Sequence, residues 1–206
     1  MRPQYKSSPI PRFDIDPHSG LLRQARLCPS PNQDARPEGC QPELLVIHGI
    51  SLPPGEYGGP WIDHLFQNRL SADAHPYFAG IAELRVSSHL LIRRDGELVQ
   101  YVPFHLRAWH AGVSSYQGRE RCNDFSIGIE LEGQDDAPYE AAQYQVLAAV
   151  IIALEQAYPG IDHRRMAGHS DIAPGRKSDP GPAFFWQDLY DQIKVGKAEN
   201  TGNAEG

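Results

Sequence analysis

Apolar residues in the stretch ELLVIHG (43–49) run without a break and stop at a histidine and a glycine. A short unbroken run of this kind predicts a buried strand whose C-terminal end carries His48. A second strand is predicted over FSIGIELEG (125–133), where the pattern alternates strictly. Phe125, Ile127, Ile129 and Leu131 fall on one face, and Ser126, Gly128, Glu130 and Glu132 on the other. In HLLIRRDGELVQYV (89–102) two apolar stretches flank Asp95 and Gly96, the dipeptide favoured where a tight hairpin needs positive φ, so a β-hairpin is predicted.

Helical spacing separates these strands. PWIDHLFQNRL (60–70) opens on a proline and places Ile62, Leu65, Phe66 and Arg69 on one face, which predicts a short amphipathic helix. YEAAQYQVLAAVIIALEQAYPG (139–160) repeats apolar residues at Tyr144, Leu147, Ala148, Ile151 and Leu154 and ends at Pro159-Gly160, as a packed helix does. A last helix is predicted over 182–195, burying Phe185, Trp186, Leu189 and Ile193. The fold class that follows is mixed α/β, a central mixed β-sheet flanked by helices.

The flanks break the pattern. Residues 1–19 are rich in Pro, Ser and charge, and 195–206 lack apolar periodicity, so a loose arm and a disordered tail are expected around one domain at 20–194. With 206 residues, 40% of them hydrophobic, that domain can bury a core without disulfide or metal staples. A net charge of −7 argues against a nucleic-acid partner, which needs a basic face. Cys28, Cys40 and Cys122 are odd in number and form no C-x-x-C pair, which fits reduced thiols better than a disulfide framework. The first residues contain no apolar h-region, and the longest apolar run, VLAAVIIAL (146–154), is too short to span a bilayer. A cytoplasmic protein with no membrane partner is expected; oligomeric state is not legible.

Among nine histidines, His18, His64, His75 and His163 lie in loops or on polar faces. His48 stands apart because a predicted buried strand delivers it to a cleft edge. The loop GHSDIAPGRKSDPGPAF (168–184) adds His169 and carboxylates in a stretch whose prolines and glycines argue against a helix. Two imidazoles and one carboxylate suit zinc and leave a fourth position for water. Spacing leaves the carboxylate open: Asp171 can cap the turn, while Asp179, before Pro180, is biased to extended backbone and would share its face with Lys177. Glu130 and Glu132 are both candidates for proton transfer. Trp109 and His110, beside Ala111 and Gly112, form a candidate stacking wall.

Taken together, LLVIHGISLPPGEYGGPWID, AWHAGVSSYQGRERCNDFSIGIELEG and GHSDIAPGRKSDPGPAF closely resemble blocks of the zinc-dependent N-acetylmuramoyl-L-alanine amidases, and within them the cytoplasmic anhydro-muropeptide amidases of the AmpD type. The resemblance covers about residues 20–194 and implies the fold shared with T7-type lysozyme amidases and peptidoglycan recognition proteins. It implies His48, His169 and Asp179 as zinc ligands, Glu130 as the catalytic carboxylate and Lys177 as the catalytic cation. The implied substrate is a muropeptide, cut between the lactyl group of 1,6-anhydro-N-acetylmuramic acid and L-alanine. Gly49 and Ser170 depart from the Asn and Cys common in that family. Arg85, Arg121 and Arg176, within or beside the same blocks, are candidate partners for substrate carboxylates. A non-catalytic peptidoglycan-fragment recognition module is the alternative, and the complete ligand set argues against it.

Overall fold

Seven consecutive residues, Leu44–Ile50, form the longest pairing partner of another seven, Ser126–Glu132. In this computed structural model, which describes residues 9–202, these are strands β2 and β5. The others in the same sheet are β1 (Arg26–Leu27), β3 (Leu90–Ile92), β4 (Leu98–Gln100) and β6 (Met166–Gly168). The six-stranded order is β6-β2-β5-β3-β4-β1. β5 runs parallel to both β2 and β3, and β3 turns back antiparallel onto β4. The sheet is therefore mixed, as the sequence predicts.

Its central strands are buried on both faces, which explains the nearly continuous apolar runs of β2 and β3, while β5 keeps its alternation with Ser126, Glu130 and Glu132 buried on one face. One face presents Leu45, Ile47, Leu90, Ile92, Ile127 and Ile129 to helices α2 (Ala141–Ala157) and α4 (Trp186–Gly202). Leu147, Ile151 and Leu154 of α2 are fully buried there, each worth about 2 kcal/mol of apolar burial. Gln143 locks the helix to the sheet: its Oε1 accepts from the Glu140 N–H, and its Nε2 donates to the Ile92 and Glu132 carbonyls at 3.1 and 3.0 Å.

The opposite face is covered in two separate patches. Helix α1 (Trp61–Phe66) seats Ile62, Leu65 and Phe66 on Leu91, Val99 and Tyr101, while Ala111, Cys122 and Phe125 cover Leu44 and Val46. His48 and Glu130 line the cleft that remains on this face. Short α3 (His169–Ile172) closes one end.

Several boundaries differ from the sequence expectation. Helix α1 stops at Phe66 because Asn68 adopts φ +57°. In the hairpin only Gly96 has positive φ, at +90°, and its N–H closes a four-residue turn onto the Arg93 carbonyl at 2.9 Å. Helix α4 starts at Trp186 rather than Pro182, since the Phe185 N–H is taken by the Tyr144 hydroxyl at 2.8 Å.

The expected disordered tail is corrected over its first part, because α4 continues to Gly202. Polar anchors hold it there: Lys197 Nζ lies 2.7 Å from Glu155 Oε2, and Glu199 Oε2 accepts from the Ile10 N–H at 3.1 Å. The expected loose arm is corrected likewise. Ile10 is buried, Phe13 and Ile15 pack against the main core, and Ile15–Asp16 pairs antiparallel with Leu21–Leu22. Residues 1–8 and 203–206, also assigned to arm and tail, lie outside the described residues. Cys28, Cys40 and Cys122 form no disulfide. No helix among the described residues is long and apolar enough to cross a membrane.

Candidate metal centre

Three chain segments converge at the C-terminal ends of β2 and β6. His48 lies near the end of β2, His169 opens α3 directly after β6, and Asp179 comes from the loop beyond. His48 Nδ1 lies 3.0 Å from His169 Nδ1 and 3.2 Å from Asp179 Oδ2, and His169 Nδ1 lies 3.1 Å from the same oxygen. A tetrahedral ion with bonds of about 2.0–2.1 Å to such ligands separates them by roughly 3.3 Å. The three donors thus fit a single small divalent cation, and their chemistry suits a borderline metal.

Electrostatics agrees with that fit. Both histidines are almost wholly buried, and burial pushes His48 down to about 4, so its ring is neutral at pH 7. Burial pushes the Asp179 carboxyl up, but its close contacts with the His169 and His48 imidazoles outweigh it and hold the group below its ordinary value. A second cluster, Glu155, Asp162 and His163, has similar spacing. There the Lys197 ammonium lies 3.0 Å from His163 Nδ1 and 2.7 Å from Glu155 Oε2, so it is a charge network already filled by its own cation.

The loop that carries Asp179 is organised by Asp171. The Gly168 N–H donates to Asp171 Oδ2 at 2.7 Å, capping the one-turn helix α3. This corrects the expectation that the prolines and glycines of 168–184 exclude a helix: the first turn precedes Pro174 and has its own cap. The Ser170 N–H then donates to the Asp179 carbonyl at 2.9 Å, and the Tyr139 hydroxyl donates to the Pro180 carbonyl at 3.0 Å. Gly49 makes room for that tyrosine, since a Cβ there would lie 2.2 Å from its hydroxyl oxygen.

Glu130 pairs in register with His48 across the parallel β2–β5 ladder, so the two side chains stand on the same face of strands about 4.8 Å apart. Burial drives the Glu130 carboxyl well above its ordinary range, the charge of Asp179 adds to this, and Lys177 offsets part of it. Glu132, two residues on, has a different setting. Its carboxylate accepts from Arg93 Nη1 at 3.0 Å, the Gly58 N–H at 2.7 Å and the Arg94 N–H at 3.3 Å. Lys177 lines the cleft with His48, Glu130, His169 and Asp179.

The remaining candidates divide. His110 lines the same cleft and touches the centre, with Nδ1 2.9 Å from His48 Nε2. Trp109 does not line the cleft; its backbone N–H donates to Ser87 Oγ at 3.0 Å and its side chain hydrogen-bonds Asp34. Arg176 donates to the Ala111 and Val113 carbonyls at 2.6 and 2.7 Å. Arg121 pairs with Asp124 at 3.3 Å and Arg85 with Glu83 at 3.5 Å. None of these three arginines lines the cleft. The opposite wall is apolar instead, formed by Leu52, Phe66, Tyr77, Ile81 and Leu84. Sequence reasoning missed that wall, because the apolar residues of 76–86 follow no regular period.

The profile of the N-acetylmuramoyl-L-alanine amidase family matches residues 38–182, a span that holds His48, Glu130, His169, Lys177 and Asp179. The chain belongs to this amidase family. Within it, the chain is 68% identical over 167 residues to the 1,6-anhydro-N-acetylmuramyl-L-alanine amidase AmpD of Citrobacter freundii, covering 81% of this chain and 89% of the relative. A crystal structure of a selenomethionine AmpD derivative superposes with a TM-score of 0.84 at 64% identity, covering 87% of this chain and 98% of that one. The Escherichia coli amidase AmiD, solved with anhydro-N-acetylmuramic acid-L-Ala-D-γ-Glu-L-Lys, gives a TM-score of 0.54 at 34% identity, covering 76% of this chain and 60% of that one.

Proposed function

We propose that the protein is a zinc-dependent amidase that hydrolyses the bond between the lactyl group of 1,6-anhydro-N-acetylmuramic acid and L-alanine in soluble muropeptides, a cytoplasmic step of cell-wall recycling. One observation carries this reading. A His-His-Asp cluster with both imidazoles buried stands beside an in-register glutamate in a cleft, within a chain 68% identical to a relative named for that activity.

His48, His169 and Asp179 would hold the zinc. Bound there, it supplies Lewis acidity, which brings the pKa of water from about 15.7 to about 7. Glu130 takes the proton from the attacking water as the new C–O bond forms, then delivers it to the alanine nitrogen as the C–N bond breaks. A carboxyl whose burial favours its protonated form is suited to carry a proton between those atoms. Lys177, facing the same cleft, offsets the negative charge that develops on the carbonyl oxygen. The apolar wall of Leu52, Phe66 and Ile81 accepts the lactyl and alanine methyls and excludes water around them.

Incubation with soluble anhydro-muropeptides and, separately, with polymeric sacculi tests the proposal by mass analysis. Free peptide and peptide-free anhydro-sugar from the soluble substrate, abolished by a chelator and restored by zinc, are expected. Preferential release from sacculi overturns the substrate assignment. Binding without cleavage identifies a recognition module instead.

A further inference from the structure

Each imidazole at the cluster turns one nitrogen inward and one outward, and a single dipeptide receives both outward ones. His48 Nε2 lies 2.9 Å from His110 Nδ1, and His169 Nε2 lies 3.3 Å from the Ala111 carbonyl oxygen. We infer that His110 and Ala111 are positioning residues that fix both histidines as Nε2–H tautomers and so aim two bare Nδ1 atoms at the metal. This inference rests on the zinc reading above.

The proton directions follow from the far end of the chain of contacts. A backbone carbonyl only accepts, so the Ser126 hydroxyl donates to the Cys122 carbonyl, 2.6 Å away. The lone pairs of Ser126 Oγ are then free to accept from His110 Nε2–H at 3.1 Å. A neutral ring protonated at Nε2 has a bare Nδ1, so His110 Nδ1 accepts from His48 Nε2–H, and His48 Nδ1 is bare in turn. The second line is shorter. Arg176 Nη2 lies 3.5 Å from His169 Nε2, but its two hydrogens go to the Ala111 and Val113 carbonyls at 2.6 and 2.7 Å. The Ala111 carbonyl only accepts, so His169 Nε2 carries its proton and Nδ1 does not. Two independent lines thus leave two lone pairs facing each other at 3.0 Å. That juxtaposition is repulsive without a cation between them.

The dipeptide is built to stay in place. Asn123 Oδ1 accepts from the backbone N–H groups of both His110 and Ala111, at 3.1 and 2.8 Å. The Arg176 guanidinium holds the next turn through the Ala111 and Val113 carbonyls. Gly128 explains how the ring fits against strand β5: a Cβ at that position would lie 2.4 Å from His110 Cγ, so the close approach requires glycine. With both ring nitrogens engaged and only 9% of the residue exposed, His110 is placed to position His48 at the border of the cleft.

Partners of this kind typically cost 10- to 100-fold in metal affinity when removed. His110→Leu should therefore bind zinc about 10- to 100-fold more weakly than wild type in competition with a chromophoric chelator. His110→Asn, whose Oδ1 can accept where Nδ1 does, should recover most of that loss. Ring-nitrogen NMR of the zinc-loaded wild type should report both ligands as Nε2-protonated. Wild-type affinity in His110→Leu, or an Nδ1-protonated ring at either ligand, overturns the inference. Should His110→Leu fail to fold, Ser126→Ala removes only the acceptor of His110 Nε2–H; a smaller loss of affinity supports the inference, and an unchanged affinity overturns it. Failure of the wild type to bind zinc refutes the metal reading itself, which is a different outcome.

Discussion

Two glutamates on one face of β5, two residues apart, should respond to substitution in opposite ways. Glu132→Ala removes the acceptor of Arg93 Nη1 and of two backbone N–H groups, with the Arg93 and Glu132 side chains only 9% and 3% exposed. Breaking a buried pair by deleting one partner costs about 3–5 kcal/mol. Arg93 keeps Glu97 at 3.2 Å and Asp63 at 3.5 Å, which places the cost near the lower end, about 3 kcal/mol. At roughly 2–4 °C per kcal/mol for a chain of this size, the Tm falls by about 6–12 °C. Glu130→Gln removes a charge that burial disfavours, so the Tm of the chelated protein should hold or rise. Its turnover should fall by about two to four orders of magnitude, the span of general acid–base catalysis. Thermal unfolding of the chelated proteins and muropeptide turnover below the lower Tm separate the two effects. An unchanged Tm in Glu132→Ala, or normal turnover in Glu130→Gln, refutes the division of labour.

Lys177→Ala should lower turnover by about 10²- to 10³-fold, the cost of one oxyanion-stabilising donor, with zinc content measured by metal analysis unchanged; loss of the metal would show that the lysine holds the loop instead. A pH-dependent effect belongs to Glu155. Burial raises its pKa, but hydrogen bonds from Lys197 and His163 outweigh this and hold it below its ordinary 4.5. A depressed carboxyl pKa gives stability that is present above the unfolded value and lost as pH falls through the folded one. Glu155→Gln should therefore be less stable than wild type by about 1 kcal/mol at neutral pH, a partly exposed network being discounted for solvent. The gap should narrow as the pH of the melts is taken progressively below 4.5; a gap that does not narrow with acidification argues for a packing defect rather than lost charge.

How much of this was legible from the chain depends on how local the cause was. The alternation of β5 and the apolar run of β2 are period effects, and they placed His48 and the two glutamates on the right strands. Period could not choose between Glu130 and Glu132, because residues two apart share a face by construction. What separates them is Arg93 and the Gly58 N–H, both brought from distant segments. Spacing likewise left Asp171 and Asp179 open, and the resemblance rather than the pattern named Asp179; in the fold Asp171 is committed to the Gly168 N–H. The one-turn helix α3 escaped notice because propensity over a Pro- and Gly-rich stretch averages out a single capped turn. The docking of residues 9–16 and the last turns of α4 depends on isolated anchors, Ile10 and Glu199 among them, which carry no periodic signal. The substrate-contact candidates Trp109, Arg85, Arg121 and Arg176 were chosen by residue type near matched blocks, and type says nothing about which way a side chain turns.

The bond from the Ile10 N–H to Glu199 joins residues 189 positions apart, and it sets the order in which the molecule can be completed. During synthesis the sheet and α2 emerge well before Leu189 and Ile193, the α4 residues that join their core. Until α4 is made, an apolar helix back is left open to water and to other nascent chains, a state prone to aggregation. Ile10, made 189 positions before Glu199, finds its partner only once α4 has been made. The protein is thus a late-closing fold, in which a chain stalled before α4 would already carry every proposed metal ligand yet lack the helix that seals the core behind them.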